Sequence, residues 1–167
     1  MLMSPFWGGT ITIAVVLTGP ALRGQPNAAS VRTEAGLVSG TGDSVRVFKG
    51  IPYAAPPVGE LRWKPPQAPV PWEGVRGARE FGPPCPQPFT GIPLPKQSED
   101  CLTLNIWTPV ANRNAKLPVM LSIHGGGFLA GWSGMPAYDG EGWARQGIVF
   151  VSLNYRLGPL GFLVTVP

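Results

Sequence analysis

Residues 119–128 read Val-Met-Leu-Ser-Ile-His-Gly-Gly-Gly-Phe, a near-continuous apolar run that ends at three consecutive glycines. Such a run is typical of a strand that is buried on both faces of a parallel sheet. A second run follows at 148–153, and the residues between leave room for a right-handed crossover with a short helix near 140–145. The two runs predict an α/β fold, in which ligands bind where the strands end.

The chain before these runs predicts a small antiparallel edge to the sheet. Apolar and polar residues alternate over 102–107, and shorter apolar segments lie at 31–36, 37–40 and 45–48. Thirteen prolines interrupt residues 50–95, which excludes a helix or a central strand there. Interleaved aromatic residues favour an ordered loop that packs on the surface over a flexible linker.

The composition is that of one folded domain. The chain is 44% hydrophobic and only 13% charged, with 23 Gly and 21 Pro among 167 residues. Disordered chains combine low hydrophobicity with high charge, so the glycines and prolines punctuate a folded chain. The 13 Lys and Arg are scattered and the net charge is only +4, which argues against nucleic acid as a partner.

The N-terminal residues predict export. An apolar stretch at 11–17 is too short to span a bilayer and is followed by small residues. Residues 1–24 are therefore interpreted as a signal peptide, with a disordered or tag-like start as the alternative. No later window predicts a membrane span. A secreted or periplasmic chain with two cysteines, Cys85 and Cys101, is expected to form a disulfide. The single histidine lies far away, which argues against a metal site.

The triple glycine fits two chemistries, or none. Residues 125–130 match the G-x-G-x-x-G/A form of a dinucleotide site. However, no helix can start there, because Gly131, Gly134 and Pro136 follow, and the next strand ends at Asn154, without an acidic residue for a ribose hydroxyl. The glycines also suit an oxyanion hole for acyl transfer, in which backbone N–H groups stabilise a tetrahedral intermediate. A turn that binds nothing is the third interpretation.

Five further blocks carry a resemblance that favours the oxyanion hole. In chain order they are Gly50-Ile51-Pro52-Tyr53-Ala54, Pro56-Pro57-Val58-Gly59 with Leu61-Arg62-Trp63, Glu99-Asp100-Cys101-Leu102-Thr103-Leu104-Asn105-Ile106-Trp107-Thr108-Pro109, Asn154-Tyr155-Arg156-Leu157-Gly158, and Gly161-Phe162-Leu163. The glycine block 124–128 lies between the third and the fourth of them. Together they resemble the type-B carboxylesterase family of the α/β-hydrolase fold, over about residues 31–163. Their order and spacing match as well.

The resemblance implies hydrolysis of small-molecule carboxylic esters by a Ser nucleophile, a His base and a Glu or Asp, without a metal or organic cofactor. It implies that Gly126 and Gly127 supply two oxyanion amides. It also implies three structural features: a loop that includes His124, Gly125 and Phe128, a first disulfide loop between Cys85 and Cys101, and an ion pair between Arg62 and Glu99.

The sequence lacks the nucleophile elbow, Gly-x-Ser-x-Gly. The nearest candidates are Gly131-Trp132-Ser133-Gly134 and Gly42-Asp43-Ser44-Val45-Arg46, and neither directly follows a buried strand. In the family the triad comes later, so residues 25–167 are expected to be the N-terminal part of the domain. This part would be inactive alone and would need a C-terminal segment to complete the fold.

Three other points bear on function. His124 has no Ser or Cys nucleophile close to it in sequence, which argues against a role as the base. A non-catalytic relative that serves in binding or adhesion is the alternative to an esterase. The loop between the cysteines contains a single aromatic residue, Phe89, which disfavours a choline ester as the substrate.

Overall fold

The computed structural model describes residues 30–88, 91–110 and 115–164. The expected signal peptide and Phe89 lie outside the described residues. The strands are β1 (Val31–Arg32), β2 (Leu37–Ser39), β3 (Val45–Pro52), β4 (Val75–Gly77), β5 (Thr103–Pro109), β6 (Val119–Ile123) and β7 (Val149–Leu153). The helices are α1 (Glu141–Arg145) and α2 (Pro159–Phe162), with 3₁₀ turns at Gly59–Leu61 and Pro136–Tyr138.

The main sheet has the strand order β3-β5-β7-β6. β5 runs antiparallel to both of its neighbours, whereas β6 and β7 are parallel and in register from Val119 opposite Val149 to Ile123 opposite Leu153. The connection from β6 to β7 contains α1. This arrangement confirms the predicted α/β class, with an antiparallel edge beside the start of a parallel sheet.

A second, smaller sheet has the order β1-β2-β4, with β2 parallel to β4. β4 lies within the proline-rich segment and was not predicted, but it is an edge strand, as prolines nearby require. The segment is ordered by its aromatic residues. The Trp72 indole N–H, for example, donates to the Leu37 carbonyl oxygen at 2.8 Å, so this tryptophan fastens the loop to the small sheet.

β5 is covered on both faces, because its alternate side chains enter two different clusters. Trp107, 1% exposed, packs with Val45, Ala144 and Phe150. Leu104 and Ile106 pack on the opposite face, against the cluster Val38, Phe48, Ile51 and Ala78. The face of β5 that carries Trp107 also buries two polar residues, Thr103 and Asn105.

The prediction that β6 is buried on both faces is wrong for the described residues. Val119, Leu121 and Ile123 are 67%, 55% and 64% exposed. Only the Met120 face packs against the core. The physical reason is that no described element covers the outer face of β6. Among the described residues, no helix is long and apolar enough to cross a membrane.

Candidate functional site

The glycine loop, residues 124–131, leaves β6 at its carboxyl end. Three successive residues have positive φ: Gly126 at 123°, Gly127 at 61° and Phe128 at 63°. The Gly126 carbonyl oxygen accepts hydrogen bonds from the N–H groups of Leu129 at 3.1 Å and Ala130 at 3.2 Å. The chain therefore reverses within a tight turn directly after the strand.

Glycine is required at two positions of this loop because the backbone approaches other atoms closely. A Cβ on Gly126 would lie 1.7 Å from the Ala130 carbonyl oxygen, and one on Gly131 would lie 2.1 Å from His124 Nδ1. Gly127 differs, since a Cβ there would meet no atom within 4 Å. Space is thus open at Gly127, and only its φ disfavours a side chain.

Three consecutive backbone N–H groups of the turn have no hydrogen-bond acceptor among the described residues. Within the described residues, the N–H groups of Gly126, Gly127 and Phe128 donate no hydrogen bond, and all three residues are exposed. Successive amides in such conformations form anion-binding concavities. The loop therefore has the capacity to bind an anionic oxygen, and the assignment of Gly126 and Gly127 as oxyanion donors stays a prediction.

His124 is part of the loop's structure. It is 3% exposed, its Nδ1 lies 2.9 Å from the Gly125 carbonyl oxygen, and its ring stacks on Tyr155 with centroids 4.4 Å apart. Because a carbonyl oxygen only accepts, Nδ1 carries the proton. Burial lowers the pKa of His124, while the hydrogen bond to Gly125 raises it. These contacts give the ring a structural role at the start of the loop.

Other elements fix the loop from outside. The Gly125 N–H donates to the Tyr138 hydroxyl at 3.2 Å, and the Tyr155 hydroxyl donates to the His124 carbonyl oxygen at 2.9 Å. The Gly158 N–H donates to the Phe128 carbonyl oxygen at 2.7 Å. The loop is therefore held on several sides while its middle amides stay open.

A buried polar network, which the sequence did not predict, supports the segment after the loop. The Asn105 side chain donates to Ser133 Oγ at 3.0 Å and to Ser152 Oγ at 3.1 Å, and accepts from the Gly50 N–H at 3.0 Å. Asn154 Oδ1 accepts from the Ser133 N–H at 2.9 Å. Asn105 and Asn154 belong to two of the motifs that carry the family resemblance, and the structure gives both side chains a structural role.

Neither serine from the incomplete elbow motifs is placed to attack a substrate. Ser133 is 2% exposed and lies within this network. Ser44 is exposed, but its carbonyl oxygen accepts from the Val110 N–H, so it lies at the Pro109 end of β5. The glycine loop is near the opposite end of β5, where Leu104 pairs with Leu153. Neither of these two serines therefore lies where it could attack a substrate bound at the loop.

Cys85 and Cys101 form a disulfide with Cα atoms 5.1 Å apart, and both residues are buried. Arg62 binds Glu99 through two hydrogen bonds, Nε to Oε2 at 2.6 Å and Nη2 to Oε1 at 2.7 Å. The hydrogen bond from Arg62 lowers the pKa of Glu99. Glu99 and Asp100 precede β5, and the exposed Asp100 does not share this pair.

A cavity of about 470 Å³ lies beside the glycine loop, between the loop and the disulfide segment. None of its described lining residues is charged. They are Gln87, Ile92, Leu94, Gly125, Gly126, Ala130, Gly131, Met135 and Tyr138. The open Gly126 backbone therefore borders an apolar space of ligand size.

Comparison with known proteins decides the family. The model of the carboxylesterase family matches residues 27–166. The chain belongs to this family. The carboxylesterase-family chain is 49% identical over 140 residues to the para-nitrobenzyl esterase of Bacillus subtilis (strain 168), covering 80% of this chain. It is 48% identical over 134 residues to the fumonisin B1 esterase of Sphingopyxis macrogoltabida, covering 78% of this chain.

Solved structures agree with this assignment. A thermophilic PNB esterase matches with a TM-score of 0.78 and 46% identity, covering 83% of this carboxylesterase-family chain and 30% of its own. The chain spans about a quarter of the length of the curated relatives: 28% of the para-nitrobenzyl esterase and 25% of the fumonisin B1 esterase. The predicted family and α/β-hydrolase fold are therefore confirmed.

Proposed function

We propose that residues 25–167 form the N-terminal part of a carboxylic ester hydrolase and supply its oxyanion-binding loop. The triad of Ser, His and Glu or Asp would lie on a segment beyond these residues. The observation that carries the proposal is the pair of N–H groups on Gly126 and Gly127 that donate no hydrogen bond within the described residues. They lie at the carboxyl end of β6, where Gly126 borders an apolar cavity. A binding or adhesion module has no evident use for such amides.

The proposed chemistry needs only the backbone from this part. When a serine oxygen attacks the ester carbonyl, the carbonyl oxygen becomes an anion, and both N–H groups donate to it. Each such donor is worth about 3 kcal/mol of transition-state stabilisation, because it is held in place before the charge develops. Proton transfer belongs to the triad histidine, since His124 is buried, stacked and bonded to Gly125.

The cavity indicates the substrate class. Ile92 and Leu94, from the disulfide loop, line it together with Met135, and none of its described lining residues is charged. We infer that it takes a neutral, apolar group of the ester. A choline ester is disfavoured, because the residues between Cys85 and Cys101 include neither Trp nor Tyr to form a cation-binding aromatic platform.

The cell compartment is part of the proposal. We propose that residues 1–24 are a signal peptide and that the mature chain is secreted or periplasmic. The Cys85–Cys101 disulfide supports this, since such bonds persist in oxidising compartments. N-terminal sequencing of the exported product tests it, and a product that still begins at Met1 would contradict it.

The esterase proposal is tested with a chimera in which residues 31–163 replace the matching segment of the Bacillus subtilis para-nitrobenzyl esterase. We expect the chimera to hydrolyse a nitrophenyl ester. We expect Gly127→Ala to lower kcat by about 10- to 1000-fold, because alanine is strained at a φ of 61° and the backbone shift that relieves the strain turns the N–H away from the oxyanion. Gly74→Ala is the matched control, because Gly74 also has a positive φ, 71°, and open space around it, but lies far from the loop in the chain. A chimera that folds without activity, or equal kcat values for the two variants, would contradict the proposal.

The 167-residue chain alone supplies the second test. We expect it to show no turnover of short nitrophenyl esters, because neither Ser133 nor Ser44 is placed to attack at the loop and the triad would lie beyond these residues. Turnover that a serine-directed inhibitor abolishes would mean that Ser133 or Ser44 is a nucleophile after all.

A further inference from the structure

The Gln87 carboxamide joins the disulfide to the glycine loop. Its Oε1 accepts from the Gly131 N–H at 2.7 Å, and its Nε2 donates to the Gly131 carbonyl oxygen at 2.9 Å. The same Nε2 also donates to the Cys85 carbonyl oxygen at 2.9 Å. One planar side chain thus satisfies both backbone groups of Gly131 and returns to the residue that carries the disulfide.

This paired contact fixes the orientation of Gly131 as well as its position. Gly131 lies at φ 133°, so close to the start of the loop that a Cβ would meet His124 Nδ1 at 2.1 Å and the Gly125 carbonyl oxygen at 2.6 Å. Gln87 therefore holds the end of the loop against its beginning. Between the beginning and the end of the loop lies the turn in which the Gly126 carbonyl oxygen accepts from the N–H groups of Leu129 and Ala130.

The other anchors of the loop act elsewhere. Tyr138 binds the Gly125 N–H, Tyr155 binds the His124 carbonyl oxygen, and Gly158 binds the Phe128 carbonyl oxygen. Among the described residues, Gln87 is the side chain that binds Gly131 through both of its backbone groups. Cys85, two residues earlier, is 1% exposed and cross-linked to Cys101, so Gln87 extends from a fixed point of the core.

We propose that Gln87 is a positioning residue that sets the arrangement of the open amides of Gly126 and Gly127. What those amides bind rests on the proposed function, whereas the positioning itself does not. Loss of the carboxamide releases Gly131, and the turn before it then samples conformations in which the two amides diverge.

The test is hydrogen exchange, followed residue by residue in the folded chimera that carries residues 31–163 of this chain. Three variants remove or alter the carboxamide: Gln87→Ala, Gln87→Met, which keeps the side-chain length, and Gln87→Glu. We expect the N–H groups of Gly131, Leu129 and Ala130 to exchange about tenfold faster in the first two, with the amides of β5 and β7 unchanged. Gln146→Ala and Gln146→Met are matched controls, because Gln146 is an exposed glutamine at the C-terminal end of α1, where its side chain donates to the Gly142 carbonyl oxygen.

Gln87→Glu adds a second readout, the pH dependence of amide protection. This would not change if the Gln87 side chain only filled space. A carboxylate still accepts from the Gly131 N–H, but its second oxygen faces the carbonyl oxygens of Gly131 and Cys85, so it repels them until it is protonated. We expect protection of Leu129 and Ala130 to be low at neutral pH and to recover as the pH falls. Gln146→Glu should show no such recovery.

Each outcome decides the proposal. If Gly131 exchanges faster in the Ala and Met variants while Leu129 and Ala130 do not, Gln87 binds Gly131 without positioning the turn, and the proposal is overturned. Loss of protection in β5 and β7 in both variants would assign Gln87 to global folding and would also overturn it. Because exchange needs no turnover, an inactive chimera would refute the esterase function and leave this result standing.

Discussion

Replacement of Asn154 gives a quantitative test of the buried polar network. Its side chain is 1% exposed and makes three hydrogen bonds: Oδ1 accepts from the Ser133 N–H at 2.9 Å, and Nδ2 donates to the carbonyl oxygens of Pro83 at 3.0 Å and Cys101 at 3.2 Å. Each is worth about 1 kcal/mol net. We therefore expect Asn154→Ala to lower the free energy of unfolding by about 3 kcal/mol, part of which is the cost of the Ser133 N–H left unpaired.

Asn154→Asp separates hydrogen bonding from packing, because it preserves shape. The new carboxylate accepts from the Ser133 N–H, but its other oxygen faces two carbonyl oxygens, which favours the protonated form and raises its pKa in the folded state. The folded state then binds more protons than the unfolded state above the ordinary Asp pKa of about 3.9. The loss of stability is therefore large at neutral pH and shrinks as the pH falls.

Urea unfolding followed by tryptophan fluorescence measures both variants, at pH 5.0 and pH 7.5. Gln67→Glu is the control, since it makes the same chemical change on an exposed side chain that donates to the Pro65 carbonyl oxygen. At pH 7.5 we expect both Asn154 variants to have a free energy of unfolding well below that of the parent chain. At pH 5.0 we expect the difference between Asn154→Asp and the parent to be smaller. A loss below 1 kcal/mol for Asn154→Ala would refute the assignment of three net-stabilising bonds.

Three further predictions follow from named contacts. Replacing both Cys85 and Cys101 by Ser should lower the free energy of unfolding, measured in urea, by about 3 kcal/mol, the value expected for a disulfide loop of this length. Two free thiols in the denatured, unreduced chain would contradict the disulfide. Burial lowers the pKa of His124, so the unfolded state binds a proton more readily than the folded state. The free energy of unfolding should therefore fall as the pH drops below about 6.5, and His124→Gln should reduce this pH dependence. An NMR titration should place the Glu99 carboxyl midpoint below its ordinary value because of the Arg62 hydrogen bond, and Arg62→Met should return it; an unchanged midpoint would count against the pair.

The strands could be predicted from hydrophobic pattern alone where tertiary context agreed with it. β6 has the predicted bounds, Val119–Ile123, and β7 begins one residue after the predicted start. The helix α1 falls within the predicted 140–145. Burial of β6 on both faces was predicted wrongly, because a pattern reports what a strand is suited to contact and not which elements are present to cover it.

The candidate site, too, could be predicted from the sequence only in part. The glycines at 125–127 indicated a close backbone approach, since glycine is the residue type that such a turn requires. The hydrogen-bond partners of Asn105, Asn154 and Gln87 could not be predicted, because a polar side chain in a loop or strand is ordinarily solvated. Only the fold shows that these amides are buried or face backbone groups that need partners.

The strand order has a consequence for synthesis on the ribosome. β7 is made last of the three strands β5, β6 and β7, yet it lies between the other two. β6 therefore leaves the ribosome before the strand that pairs with it, and the backbone N–H and C=O groups that bind β7 stay unpaired until residue 153 has emerged. An apolar strand that waits in this way is exposed to aggregation, so the interval during which 124–153 is translated is when this chain most needs a chaperone.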